Sequence, residues 1–466
     1  MNRIYLTPVF FLILTIQANA QQYGLFNTKT LFDAFENPAQ KAFILDSSRQ
    51  FASNFFLPNF GVNAANKGDA NNTIRGLISN GLYTAQGLPL GSGKTNTVYE
   101  NANIYLFAFR IFKSYKFNKE IGFAWQVRTD AHLDYTNESL ALLDDYNRFD
   151  KGRLYENIFN DKGQVQTYHQ FSISYRENYN KKLSFGAKLS LLSGITYNKL
   201  DINGSSMYVD PSSNQLLLKL TGAYKSSFFD WDEVNKKTLF PNFKSPGLSL
   251  SLGTTYNSKK GVTIMANLKD LGFIKWSKKS HTVELTEKTI EQFQNDPSIE
   301  IGTDIYETIK NNDQQKSFYS LTNAKADFLI SKAFDFYVPG LILSKNLVYK
   351  GGDLAFINTF KYRDFSASIV PNYNLNGFFM IGAQGMYKTP NFEFFLGSDN
   401  LSKTAVILKD VTGSNGYNGA SFYMGMSIKF GYVVNHPLNS SYMPGIDDQQ
   451  EESFFKRIFS VFSRKR

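Results

Sequence analysis

Residues 421–432 have the sequence SFYMGMSIKFGY, in which large apolar side chains alternate with small or polar ones. A β-strand turns successive side chains to opposite faces, so one face of this strand is apolar and the other holds serine, glycine and lysine. That division is typical of a barrel strand with lipid outside and a lumen inside. The apolar face consists of Phe422, Met424, Met426, Ile428, Phe430 and Tyr432.

The same period of two recurs along the chain. It is clear at 183–191 and at 248–252, where leucines alternate with serine, lysine and glycine. Turn-forming residues at 257–261, 362–364 and 388–391 join neighbouring strand candidates as hairpins. We therefore expect an all-β fold, a closed antiparallel transmembrane β-barrel of about 14 strands with short N-terminal helices and a C-terminal amphipathic helix.

The first twenty residues are typical of a secretory signal peptide. Arg3 supplies the positive start, residues 9–16 are apolar, and Ala18-Asn19-Ala20 offers a cleavage site. The chain has no Cys, which excludes a lipid-anchored lipoprotein, a disulfide framework and thiolate chemistry. We predict export to the outer membrane, with its lipid as a partner.

Composition excludes several classes of protein. The mean hydropathy is -0.30, and no apolar run of about 18 residues follows the signal, which argues against a helical membrane protein. The 43 Phe and 27 Tyr suit the lipid band and interfacial girdles of a barrel. The formal charge is +10, but the lysines are scattered through loops and strand ends, so no nucleic-acid partner is predicted.

Residues 21–47 are predicted to form a helical plug or hatch ahead of the barrel. Phe32 and Phe35 share a face of a short helix that Pro38 should end, and Asn37 can cap a second short helix containing Phe43. Two placements are open. The segment either lies in the mouth or lumen of the barrel, or forms a collar outside its periplasmic rim.

The barrel is expected over 48–434, with long loops at 134–164 and 282–316 placed on the outside of the cell. A linker at 435–450 precedes a basic amphipathic tail at 451–466. The tail could rest on phospholipid headgroups, dock a partner, or be a disordered end. Its predicted contact residues are Phe454, Phe455, Ile458, Phe462, Arg464 and Lys465.

Motifs that imply catalysis or cofactors are weak in this sequence. Gly91-Ser92-Gly93-Lys94-Thr95 imitates a phosphate-binding loop, but the glycine required five positions before Gly93 is Leu88. The four histidines lack zinc-type spacing, and Asp144-Asp145 is better explained as a solvated loop face. We predict no catalytic residues, no metal and no cofactor, although a Ser or Asp paired with His in the barrel wall would reveal itself only in the fold.

Three elements resemble known families. Glu36-Asn37-Pro38-Ala39 resembles the Asn-Pro-Ala element of FadL-like outer-membrane barrels and their relatives in Bacteroidota. Asp270-Leu271-Gly272-Phe273-Ile274-Lys275-Trp276 resembles a signature of a functionally undescribed Bacteroidota barrel family. Gly397-Ser398-Asp399-Asn400-Leu401 is similar to segments of that family and of barrels associated with gliding and type IX secretion. Gly272 is expected to allow a bend or bulge, and Trp276 to anchor at a membrane interface.

The resemblance implies transport of a hydrophobic or small ligand through a lumen gated by the N-terminal segment. The candidate gate and ligand contacts are then Phe32, Phe35, Asn37, Pro38 and Phe43. Other members of this wider group act as scaffolds, so the alternative is a non-transporting scaffold or plug subunit of an envelope complex such as the type IX translocon. An open pocket favours transport, and a packed interior favours scaffolding.

Overall fold

The computed structural model of the chain describes residues 23–43, 49–80, 84–114, 119–213, 215–230, 233–286, 290–293, 301–408 and 417–433. The predicted signal peptide, linker and tail lie outside the described residues. Outside them, too, are the predicted tail contacts Phe454, Phe455, Ile458, Phe462, Arg464 and Lys465.

Strands dominate the described residues. In chain order they are β1, interrupted as Arg49–Ser53 and Asn59–Lys67; β2 Thr95–Ser114; β3 Lys119–Thr136; β4 Lys162–Asn178; β5 Leu183–Val209; β6 Leu216–Ser226; β7 Pro246–Asn257; β8 Val262–Lys275; β9 His281–Leu285; β10 Lys325–Lys332; β11 Tyr337–Asn346; β12 Gly352–Tyr362; β13 Phe365–Asn374; β14 Phe378–Lys388; β15 Phe392–Ser398; and β16 Tyr417–Val433. Short strands at Leu154–Glu156, Ile290–Phe293, Gln314–Gln315 and Tyr319–Leu321 extend these ladders.

The strands form one antiparallel sheet that closes on itself, because β16 pairs with both parts of β1. The long strand β5 pairs along the same edge with two different strands. Its residues 183–193 pair with β7, and its residues 198–209 pair with β6. On their other side, β8 pairs with β7 and β9 with β6. The predicted fold class, a closed antiparallel barrel, is confirmed.

The barrel has 16 strands, so the prediction of about fourteen was wrong. The difference includes β9 His281–Leu285, most of which falls in the region 282–316 that was predicted to be a long loop. With five residues, this strand shows too few alternations to be distinguished from a loop by its period alone.

The two faces of the wall have the predicted chemistry. Leu189 and Leu250 are 59% and 40% exposed on the outside, whereas the adjoining Lys188 and Ser251 are 1% and 0% exposed on the inside. Phe422 and Ile428 are likewise exposed beside the buried Ser421 and Ser427. The outer surface is thus an apolar band that suits lipid, around a lumen lined by polar side chains.

Helices are short and lie between strands or inside the barrel. No helix in the described part of the chain combines the length and apolar character needed to cross a membrane. The α-helices are Asp33–Glu36, Asn71–Asn80, Asn137–Asp144, Lys236–Leu239, Ile301–Asn311 and Leu401–Leu408, with 3-10 turns at Tyr23–Leu25 and Tyr146–Arg148.

The barrel has two distinct ends. At the short-turn end, strands are joined by brief connections such as 258–261, 333–336 and 363–364. At the long-loop end, residues 68–80, 84–94 and 137–161 lie between strands and contribute to a small apolar core. The lumen between these ends contains residues 23–43, which we call the plug.

Candidate functional site

The structure places the plug inside the lumen rather than as a collar outside the barrel. Phe32 and Phe35 are 0% exposed and Phe43 is 1% exposed. The Phe32 ring lies 5.5 Å from the ring of Tyr105 and 5.8 Å from that of Phe395, both on the inner face of the wall. The aromatic side of the plug therefore packs against the lumen lining.

Within the described residues 37–43, the predicted second helix after Asn37 does not form. Asn37 ends the helix Asp33–Glu36 and begins a turn, in which its Oδ1 accepts a hydrogen bond of 3.0 Å from the Ala39 amide. This turn lies against Gly186 and Gly253, which face each other on β5 and β7. A Cβ on Gly186 would overlap the Pro38 carbonyl, and one on Gly253 would overlap the Asn37 side chain. The Asn-Pro-Ala turn thus sits where two paired glycines leave room.

Glu36 is the charged anchor of the plug. Its Oε1 accepts hydrogen bonds of 2.6 Å from the Tyr105 hydroxyl and 2.6 Å from Asn103 Nδ2. Its Oε2 forms ion pairs with Lys269 and, at 3.8 Å, with Arg128. Burial raises the pKa of the Glu36 carboxyl, but Lys269 and Arg128 outweigh burial and hold that pKa below its usual range. Glu36 is therefore charged while the plug is seated.

Arg128 connects Glu36 to a second buried carboxylate, Asp270. Arg128 forms an ion pair with Asp270 Oδ2, and Lys188 Nζ lies 3.0 Å from Asp270 Oδ1. Asp270 Oδ1 also accepts a hydrogen bond of 2.8 Å from Gln170 Nε2. We call Glu36, Arg128, Lys188, Lys269 and Asp270 the charge network; it joins the plug to the barrel wall.

A β-bulge in β8 makes this network possible. The register of β8 against β7 shifts between Leu268 and Leu271, and Asp270 adopts a φ of 52°, which Asp tolerates better than most residues. Because of the extra residue, the consecutive side chains Lys269 and Asp270 are both buried inside. Asp270 of the family motif is thus a lumen residue with a defined set of partners.

The prediction that Trp276 anchors at a membrane interface was wrong, and the same bulge is the reason. After the shift, even-numbered residues of β8 face inward, and Trp276 is 1% exposed rather than anchored at a membrane interface. Its Nε1 donates a hydrogen bond of 2.8 Å to Ser320 Oγ, and its ring packs 5.3 Å from that of Tyr197. Phe273 remains on the lipid side at 42% exposure, and a Cβ on Gly272 would overlap the neighbouring strand.

At the short-turn end, the plug backbone is held by side chains from β14 and β15. Leu31 N donates a hydrogen bond of 2.7 Å to Glu393 Oε1. Lys388 Nζ donates to the carbonyls of Thr28, at 2.8 Å, and Lys29, at 2.6 Å. The same ammonium lies 5.7 Å from the centre of the Phe43 ring. The plug is thus held by side-chain contacts, and no strand pairing fixes its described residues in the sheet.

An apolar pocket of about 170 Å³ lies at the long-loop end, beneath the helices Asn137–Asp144 and Ile301–Asn311. Its lining includes Leu140, Leu218 and Ile309, with few polar groups. Phe32, Phe35, Asn37, Pro38 and Phe43 do not line it. The predicted gate residues therefore lie in the lumen, separate from this pocket.

The glycine loop that imitates a phosphate site is occupied by a carboxylate of the chain itself. Glu138 Oε1 accepts hydrogen bonds from three successive amides, Gly91 at 2.7 Å and Ser92 and Gly93 at 3.0 Å. Lys94 forms an ion pair of 2.8 Å with Asp69. The loop thus closes the long-loop end and is not a free anion site.

The described residues contain no group of three or more His, Cys, Asp or Glu placed to hold a metal ion. Asp144, which the sequence placed on a solvated loop face, accepts a hydrogen bond of 2.8 Å from the Ala85 amide and so contributes to the packing of the loops.

Sequence reasoning missed Arg128, Lys188 and Lys269 as partners of the plug. One signal was present for Lys188, which occupies an inward position among leucines, serines and glycine in β5. Its partner Asp270 faces Lys188 only because of the bulge in β8, which is far from β5 in the sequence. Those contacts could not be derived from local patterns.

Comparison with known proteins adds the following. Residues 42–399 match the model of a family described as of unknown function, DUF5723. The comparison with curated proteins gives no match. Similar solved structures include the toluene transporter TbuX of Ralstonia pickettii, with 11% identity over 85% of this chain and 93% of that one and a TM-score of 0.44. A FadL homologue of Pseudomonas aeruginosa has 11% identity over 85% and 93% of the two chains and a TM-score of 0.42. The toluene transporter TodX of P. putida has 8% identity over 82% and 90% of the chains and a TM-score of 0.37.

Proposed function

The chain belongs to the DUF5723 family, whose function is unknown, and we propose that it is an outer-membrane channel for a hydrophobic ligand, gated by the plug. The observation that carries this proposal is the combination of an apolar pocket at the long-loop end with a plug seated in the lumen. The long-loop end faces outward in this proposal. A ligand would then enter the pocket from outside the cell and pass from the pocket into the lumen.

Release of the plug would break side-chain contacts, including the buried packing of Phe32, Phe35 and Phe43, but no strand pairing of the wall. A typical hydrogen bond contributes about 1 kcal/mol net, and the contacts to Glu36, Leu31 and Lys388 are dispersed over separate strands. The wall keeps its own ladder when these contacts break. The plug can therefore move without unfolding of the barrel.

A reversible crosslink tests the gate. Asn27 Nδ2 lies 3.0 Å from Ser331 Oγ, so the plug and β10 approach closely there. The double variant Asn27→Cys/Ser331→Cys places two thiols at this contact in a sequence without other Cys, and non-reducing electrophoresis shows whether oxidation joins them. In planar bilayers, we expect no current from the oxidised variant and recurrent current bursts after reduction. The wild-type chain, treated with the same reagents, serves as the control.

The pocket is tested separately with the neutral fluorescent probe N-phenyl-1-naphthylamine. Ile309→Asp places a charge in the apolar lining and should weaken probe binding by about tenfold or more. Asn311→Asp adds the same charge at an exposed position on the same helix and should leave binding unchanged. Equal binding by both variants would remove the pocket from the proposal.

One observation favours the alternative, a non-transporting scaffold or plug subunit of an envelope complex such as the type IX translocon. The plug and its aromatic side chains fill the middle of the lumen. If the reduced crosslink variant remains as silent as the oxidised one, transport fails and the scaffold becomes the better account. The tail at 451–466 is then the proposed partner contact, to be checked by deletion and co-purification.

A further inference from the structure

A second cavity, of about 230 Å³, opens at the short-turn end between the plug and the wall. It shares no lining residue with the apolar pocket at the long-loop end. Leu329, Ile357 and Met386 supply an apolar floor, and Lys29 and Lys361 lie among the lining residues at the exposed rim. This cavity therefore combines an apolar surface with positive charge.

The charge of the cavity is one-sided. Its lining includes the cations Lys29, Lys361, Arg363 and Lys388, and one carboxylate, that of Asp364. Lys388 is committed to the plug, because its ammonium donates to two plug carbonyls. Within the described residues, no ion pair joins Lys29, Lys361 or Arg363 to a carboxylate; Arg363 lies over the Tyr362 ring at 5.4 Å. Three positive charges thus lie around the opening, against one carboxylate in the lining, that of Asp364.

The backbone at Lys29 is held firmly in an unusual conformation. Its φ is 60°, a region that non-glycine residues seldom adopt. The Lys29 amide donates a hydrogen bond of 3.1 Å to Asp33 Oδ2, and its carbonyl accepts from Phe43 N at 2.6 Å and from Lys388 Nζ at 2.6 Å. These contacts fix Lys29 at the rim, where its charge adds to those of the wall.

We propose that this cavity binds an amphipathic anion, with a carboxylate or phosphate head at the cations and a short alkyl chain on the apolar floor. The cations attract the head, and removal of the alkyl chain from water adds to the binding. A neutral alcohol of the same length lacks the first contribution, and an inorganic anion lacks the second. The proposal holds whether or not a ligand passes through the lumen.

The test uses the full chain in a non-ionic detergent at low salt, with calorimetric titration of octanoate, octanol, octyl phosphate and inorganic phosphate. Octanoate should bind at least about tenfold more tightly than octanol, as expected for attraction by several partly exposed charges. The variant Lys361→Gln/Arg363→Gln should remove most of this preference. The matched variant Lys259→Gln/Lys260→Gln removes two exposed charges from a turn at the same end, outside the cavity, and should retain it.

Each outcome decides a part of the proposal. Tighter binding of octyl phosphate assigns a phosphate head, and tighter binding of octanoate assigns a carboxylate. Persistence of the octanoate preference in Lys361→Gln/Arg363→Gln would overturn the site. Equal affinity for inorganic phosphate and octyl phosphate would overturn the role of the apolar floor. Ile309→Asp should leave the octanoate preference unchanged, so failure of the apolar pocket and failure of this site are distinguishable.

Discussion

Glu36 shows how one side chain connects the plug to the wall. It forms ion pairs with Lys269 and Arg128 and accepts hydrogen bonds from Tyr105 and Asn103. Removal of one partner from a buried ion pair costs more than the pair itself contributes, because the remaining charge loses its compensation. The seated plug therefore depends on the negative charge of Glu36 as well as on its shape.

Glu36→Gln should loosen the plug while keeping most of its size. Lys269 and Arg128 would then be left with less neutralisation, and we expect seating to weaken by about 1–3 kcal/mol. In planar bilayers this should appear as more frequent current bursts than in the wild type. Glu307→Gln, at an exposed position of the loop helix, is the control. A burst frequency equal to that of the wild type would show that the charge of Glu36 does not hold the plug.

Asp33 should make the seating of the plug depend on pH. Burial raises the pKa of Asp33, which lies on the plug rather than on a wall strand, from 3.8 to about 7. The seated plug thus retains the proton more readily than a released one, so seating is favoured at low pH and weakens as pH rises through about 7. Burial also lowers the pKa of Lys41 to about 8, so its charge changes mainly above this window.

The measurement uses a reporter cysteine, Ala42→Cys, at a plug position that is 3% exposed in a chain without native Cys. Its maleimide modification should accelerate between pH 5 and 7.5 by more than the chemistry of the thiol explains. Asp33→Asn in the same background supplies that reference. Identical pH profiles in the two backgrounds would contradict a role for Asp33.

At the scale of elements, the sequence predicted the strands better than their junctions. Leu248, Leu250 and Leu252 were placed correctly on the lipid side because a period of two is a local property. The inward turn of Trp276 was not predictable in the same way, because it follows from the bulge at Asp270, which depends on pairing with β7. The second plug helix failed for a similar reason: the turn at Asn37 is shaped by the space above Gly186 and Gly253.

The glycine pair gives a test of how the turn is seated. In Gly253→Ala the new methyl group would overlap the Asn37 side chain and press on Ala39, so the Asn-Pro-Ala turn must shift. We expect the Ala42→Cys reporter to be modified about threefold or more faster, corresponding to a loss of roughly 0.7 kcal/mol or more of seating. Gly385→Ala is the matched control, since a Cβ there meets no atom within 4 Å. Equal modification rates in the two variants would show that the turn tolerates the methyl group.

At the scale of the whole molecule, the apolar band is the property that the other features depend on. Leu250 lies between Leu189 on β5 and Leu271 on β8, and all three are exposed on the outside of the barrel. In water these side chains would form a large exposed apolar surface, which is unfavourable. In a bilayer they contact acyl chains instead of water. The sequence predicted which face of each strand points outward. It did not predict the closure with 16 strands or the filling of the lumen, because both depend on contacts between residues far apart in the sequence.

Leu250→Arg tests the membrane assignment itself. A charge in the middle of the lipid band should destabilise the folded barrel in phospholipid vesicles by about 2–4 kcal/mol. Leu154→Arg introduces the same side chain at a 59% exposed position of a loop strand at the long-loop end and should cost less than about 1 kcal/mol. Urea unfolding in vesicles, followed by tryptophan fluorescence, measures both. If the two substitutions cost the same, Leu250 faces water rather than acyl chains, and the proposals of a lipid-embedded channel and of a lumen gate fail together.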